Sequence, residues 1–220
     1  MTQSISGVVR LLPSVIAMAG VILLSNILVQ IPIDFTLTIA GQTYNLAELL
    51  TWGALSYPVA FLVTDTTNRI FGAASARKVV YFGFALGVIL TLMVAFNIAS
   101  EVAAATNTGL FDALLNNQDA FGMLRIALAS GSAFLIAQLL DIAIFNKLRR
   151  ATWWKAPTIS SFFGSAVDTA IFFSLAFAAT GLPWVNWAVG DFVAKLAMIA
   201  ILLYPFKLLI SIYPHKLKIA

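Results

Sequence analysis

The chain has no cysteine, which excludes disulfides and thiolate metal sites, and a single histidine, His215, in the tail Tyr213-Pro214-His215-Lys216. One histidine leaves no His-Glu-x-x-His motif for a zinc protease and no serine–histidine pair inside an apolar segment. An Asp-Gly-centred metal-binding cluster is missing too, so the chain reads as a protein without catalytic residues, metal or cofactor. Charge is scarce: Asp, Glu, Lys and Arg make up 10% of the residues, against about 25% in soluble domains. Lysine and arginine are absent from three whole stretches, Pro32 to Asn45, Ser100 to Ala120 and Thr180 to Pro183.

What replaces charge is apolar sequence, 61% of the residues, with a mean hydropathy of +0.96. That defines an integral membrane protein, and 220 residues leave room for one membrane domain, 1–220, without a soluble one. Six segments are long and apolar enough to cross a bilayer, at about 11–31, 46–66, 78–99, 121–146, 156–180 and 184–210. The expected fold is therefore all-α, with six transmembrane helices. The run 11–31 is too long for the core of a cleavable signal and is expected to be retained. Basic residues gather after the second span (Arg69, Arg77, Lys78), after the fourth (Lys147, Arg149, Arg150, Lys155) and at the end (Lys207, Lys216, Lys218), which places those sides and both termini in the cytoplasm. A pI of about 9.5 could suggest nucleic acid, but the charge sits in the short loops that insertion rules demand, so no nucleic-acid partner is expected. The 100–120 loop is expected to include a short interfacial helix.

Polar residues inside the spans carry the functional signal. An ionisable side chain at bilayer depth costs about 2.5–3.5 kcal/mol even on the lenient insertion scale, so it is expected to face protein or a water-lined path. Asp168 stands in mid-span 5 and shares its helical face with Ser161, Gly164 and Ser165. In span 2, Tyr57, Phe61 and Asp65 recur every four residues, with Asn68 and Arg69 a turn later, and Pro58 removes a backbone donor and permits a kink. Asp65 either lines a path or pairs with Arg69 at the interface. Span 4 carries Gln138 and Asp141; the acid either binds a ligand or pairs with Lys147, and the amide either reads a heterocycle edge or ties helices together. Span 6 presents Trp187, Asp191 and Lys195 on one stripe, the last two in the favourable order for an i,i+4 ion pair. Asn26 and Asn97 read as helix–helix hydrogen bonds.

Four spans thus contribute an acid and two of them aromatic rings beside it, which suits a flat polar solute with N–H donors. A carboxylate accepting two parallel N–H bonds matches a guanine-like edge, and aromatic faces stack on such rings at about 1–3 kcal/mol each. A simple channel would not need so many polar partners or a buried lysine.

At these residues the chain resembles the queuosine precursor transporter family, also called the vitamin uptake transporter family. The resemblance rests on Tyr57-Pro58, Thr64-Asp65, Asn68-x-x-Phe71-Gly72 and Ala76-Arg77-Lys78 at the second span. It continues in Ala137-Gln138-Leu-Leu-Asp141 and Ile144-Phe145 of the fourth and in Ser160-Ser161, Val167-Asp168-Thr169 and Ile171-Phe172 of the fifth. It implies a six-span carrier in the bacterial inner membrane that brings 7-cyano-7-deazaguanine or 7-aminomethyl-7-deazaguanine into the cell for tRNA modification. The expected site then comprises Asp168, Asp141, Gln138, Trp187, Asp191 and Lys195, with Ser161 and Ser165 on the Asp168 face and Tyr57, Phe61, Asp65 and Asn68 toward a cytoplasmic gate. The alternatives are a carrier of another vitamin-like or nucleobase solute, and a non-transporting membrane subunit. Without an ATP-binding motif, energy would come from a gradient, a partner ATPase or metabolic trapping. Six short helices are few for enclosing a polar path, which favours a homodimer.

Overall fold

The computed structural model describes residues 2–28, 31–39, 41–48, 50–110 and 118–213. Helix α1 (Thr2–Leu28) is followed by a hairpin of β1 (Thr36–Ile39) and β2 (Gln42–Asn45), antiparallel with Thr36 opposite Asn45. Then come α2 (Trp52–Ser56), α3 (Val59–Phe71), α4 (Ala73–Thr106), α5 (Gln118–Leu148), α6 (Lys155–Phe177) and α7 (Trp184–Ser211). The His215 tail, Lys216, Lys218 and 111–117 of the expected interfacial segment lie outside the described residues.

Among the described residues five helices are long and apolar enough to cross a membrane, within α1, α4, α5, α6 and α7. The expected second span differs. Leu46–Glu48 forms only a single 3-10 turn, and the segment 52–71 is split at Tyr57-Pro58 into α2 and α3. Proline has no N–H to give the preceding turn, and the amides of Ala60 and Phe61 instead close tighter bonds to the Tyr57 and Pro58 carbonyls. Gly72, at φ 88°, ends α3 and lets α4 start at the next residue. Helix α4 runs on to Thr106, so much of the expected 100–120 loop is helix; Glu101 breaks the apolar run but the alanines after it favour helix.

The bundle is built inside out relative to a soluble protein. Large apolar side chains such as Phe82, Ile201 and Tyr204 stand exposed, the last by 71%. The interior buries Thr64, Asp65, Asn68, Gln138, Asp141 and Lys195 along with the apolar residues. One apolar cluster joins Met18 and Ile22 of α1 to Ala60, Val79, Val80, Phe134 and Ile142. A second joins Phe145, Ala156, Phe206 and Ile210. The end of the bundle with Arg69, Arg149 and Lys155 is the basic end; the hairpin marks the other.

Close approach of α1 and α4 rests on Gly83 and Gly87, a small-x-x-x-small pair. A Cβ at Gly83 would overlap the Met18 side chain, and one at Gly87 would stand 2.6 Å from Ile22 Cγ2. Gly87→Leu is therefore expected to lower stability in detergent by about 1–3 kcal/mol through overpacking, read as a fall in thermal midpoint. An unchanged midpoint would mean that α1 and α4 separate freely there. Asn97 does not bridge helices but donates to the Met93 carbonyl of its own helix.

Candidate functional site

Two buried polar clusters sit at different depths along α6. The deeper one is organised by Lys195, 3% exposed and eleven residues into α7, or about 16 Å from its start. Its Nζ lies 2.6 Å from Asp191 Oδ2, 2.8 Å from Asp168 Oδ2 and 3.1 Å from Thr169 Oγ1. Thr169 in turn donates to Asp191 Oδ2 at 2.7 Å. The stripe on α7 and the acid on α6 are thus one group, with two carboxylates sharing one ammonium. Thr169, quoted in the fifth-span motif but not placed in the expected site, completes it. Trp187 packs edge-on against Phe177, ring centroids 5.6 Å apart, at the hairpin-side end of the stripe.

The second cluster lies toward the basic end. Asp65 of α3 and Asp141 of α5 are 2% and 0% exposed, and an oxygen of each comes within hydrogen-bonding distance of one hydroxyl, that of Ser161. From α6, Ser160 donates to Asp65 Oδ1 at 3.4 Å, while the Ser161 hydroxyl faces Asp65 Oδ2 at 3.2 Å and Asp141 Oδ1 at 3.4 Å. Neither acid makes the surface ion pair that its sequence position allowed. Arg69 donates to the Arg149 carbonyl and Arg149 returns a bond to the Arg69 carbonyl at 2.9 Å, which locks α3 to the end of α5. Gln138 accepts from Thr64 at 2.5 Å, and Asn68 donates to the Ile142 carbonyl at 3.3 Å, so both tie α3 to α5.

Phe61 separates the clusters. Its ring lies against Gly164, where a Cβ would stand only 2.7 Å from Phe61 Cε1, one turn before Asp168 on α6 and one turn before Asp65 on α3. Tyr57, a turn above it, donates to or accepts from Ser130 at 2.6 Å and is within electrostatic reach of Asp168, Asp191 and Lys195. Ser165, also on this face, is fully buried and its hydroxyl has no partner. A cavity of about 20 Å³ lies beside Asp65, Ser161, Phe61 and Phe206. That holds about one water and is far below the 300 Å³ or more of small-molecule sites, so this cavity admits no small molecule in this conformation.

Arg125 escaped the sequence reading because it falls inside an apolar run. It donates to the carbonyls of Leu175 and Ala178 at 2.8 and 2.7 Å, satisfying the otherwise unpaired C-terminal end of α6.

Apolar outward faces, helices of spanning length and ionised groups folded inward together define a multi-pass membrane protein with a polar interior of the kind carriers use. The profile of the family described as "Putative vitamin uptake transporter" matches residues 51–210, and the chain belongs to that family. It is a transporter and not an enzyme. It is 39% identical over 197 residues to a Haemophilus influenzae protein named "Probable queuosine precursor transporter", covering 87% of this chain and 77% of that one. It is 40% identical over 195 residues to the "Queuosine precursor transporter" of Escherichia coli, covering 87% and 76%. A Bacillus subtilis protein named "Probable queuosine precursor transporter" is 28% identical over 160 residues, covering 67% and 66%. No solved structure gives a significant match.

Proposed function

We propose that this chain imports queuosine precursors, 7-cyano-7-deazaguanine or 7-aminomethyl-7-deazaguanine, across the bacterial inner membrane. The observation that carries this cargo is the identity of about 40%, over 87% of the chain, to proteins named for queuosine precursor transport. The interior fits the chemistry: the heterocycle would meet Asp168 and Lys195 for its donor and acceptor edge, and Tyr57 and Phe61 for its faces. In this reading the cargo reaches Asp168 when α3, carrying Phe61, moves off Gly164.

The direct test is restoration of queuosine in the tRNA of cells that cannot make the precursor, each deazaguanine being supplied at low concentration. Expression of this chain is expected to restore it with at least one of the two. No restoration with either, from protein shown to be in the membrane, would overturn the cargo.

The same reading has six crossings, the sixth being the broken α2–α3 segment, with both termini and the 67–78 and 147–155 loops in the cytoplasm. The chain lacks cysteine, so Leu110→Cys introduces a single label site. It is expected to react with an impermeant thiol reagent from outside the cell; labelling from the cytoplasmic side only would reverse the assignment.

A further inference from the structure

We propose that Asp65 and Asp141 hold one proton between them, and that its release and return are linked to each transport cycle. The linkage rests on the transporter reading above; the proton site does not. Two carboxyl groups from α3 and α5 meet at one serine hydroxyl, Asp65 Oδ2 at 3.2 Å and Asp141 Oδ1 at 3.4 Å from Ser161 Oγ, with almost no solvent contact. Among the described residues the ion pairs are those of Lys195 with Asp168 and Asp191, so no cation neutralises this pair. Among the described residues, the elements packed around it bring it no cation. Helix α6 brings the hydroxyls of Ser160 and Ser161; α7 lines the adjoining cavity with Ile199, Leu202, Leu203 and Phe206. Helix α4 packs Val79 and Val80 against Ile142, next to Asp141, and Arg69 on α3 is spent on the Arg149 carbonyl.

The hydrogens do not suffice for the oxygens. Ser161 has one hydrogen for two carboxylates, Ser160 divides its own between Asp65 and the Pro157 carbonyl, and Asp141 Oδ2, fully buried, has no donor. Like charges gathered at one hydroxyl in a dry site resolve this by sharing a proton, as two neighbouring carboxyl groups do in other proteins. The water-sized cavity beside Asp65 and Ser161 has room for one water, a carrier for the proton, but not for the cargo.

The shared proton clamps α3 to α5; its loss leaves two repelling anions and frees α3. Helix α3 also carries Phe61, which closes the way to Asp168, so proton occupancy and cargo access are set by one moving part.

The test is infrared difference spectroscopy of the purified full chain as pH is raised. The C=O stretch of a protonated carboxyl group is expected at neutral pH, lost on alkalinisation, and missing in both Asp65→Asn and Asp141→Asn. The amide supplies the bridging hydrogen there, so thermal midpoints close to the wild type confirm folding. In proteoliposomes, accumulation of 7-aminomethyl-7-deazaguanine is expected to rise several-fold under an inward proton gradient. In Asp141→Asn the ratio with and without the gradient should fall to one. Absence of the band from the wild type, its persistence in both variants, or gradient-independent accumulation by the wild type overturns the proposal. A band that behaves as expected with no entry of either deazaguanine under any gradient supports the proton site and sinks the cargo instead.

Discussion

Lys195→Ala is expected to destabilise the bundle by about 3–5 kcal/mol, the cost of stranding buried charges by removing their partner. Here the loss is greater than for a simple pair, because one ammonium serves Asp168 and Asp191 at 2.8 and 2.6 Å and also bonds Thr169. Truncation leaves two carboxylates facing each other at mid-membrane depth with only hydroxyls for company. The same geometry predicts strong coupling. Lys195→Ala combined with Asp191→Ala should cost less than the two single losses added together, by about 0.5–3 kcal/mol, and the cycle with Asp168→Ala should behave likewise. Denaturation of purified protein in detergent measures all the variants on one scale. Additivity in both cycles would show that the three residues act separately in solution.

This triad also shows where a one-dimensional reading stops. Positions on one helix were legible: Phe61 and Asp65, four apart on α3, both meet α6, and Asp191 meets Lys195, because period and spacing settle such relations, whereas Tyr57 falls at the break between α2 and α3. Pro58 likewise announced the break between α2 and α3. Relations across helices were not. Asp168 lies 27 residues from Lys195, and Ser160 lies 95 from Asp65, so no local pattern joins them. For Asp65 and Asp141, nearby Arg69 and Lys147 offered surface partners on paper, whereas in the fold the acids turn inward to serines of α6. The hairpin at 36–45 was missed although its threonines flank a glycine turn, because an apolar-segment search treats any connection as loop. Arg125 binds backbone carbonyls, which leave no mark in a side-chain pattern.

Asp168→Asn is expected to abolish uptake while leaving the protein folded. Lys195 holds Asp168 through Oδ2, which leaves Oδ1 to accept from an N–H of a deazaguanine when Phe61 moves away. Asparagine has the same shape but one acceptor. Lysine donates only, so it will keep the amide oxygen on its side and turn the NH2 toward the cargo, setting donor against donor. Folding survives because Asp191 still pairs with Lys195, and removing one of two negative charges around a single ammonium leaves the cluster neutral. Unpaired polar groups in a buried complex cost about 1–3 kcal/mol each, roughly tenfold to a hundredfold in affinity. The measurement is queuosine in tRNA of precursor-deficient cells at low external precursor, with wild type and variant at equal membrane levels and the thermal midpoint taken on both. Lost uptake with a retained midpoint places Asp168 at the cargo, whereas full restoration by Asp168→Asn would remove it from the site and leave it a structural partner of Lys195.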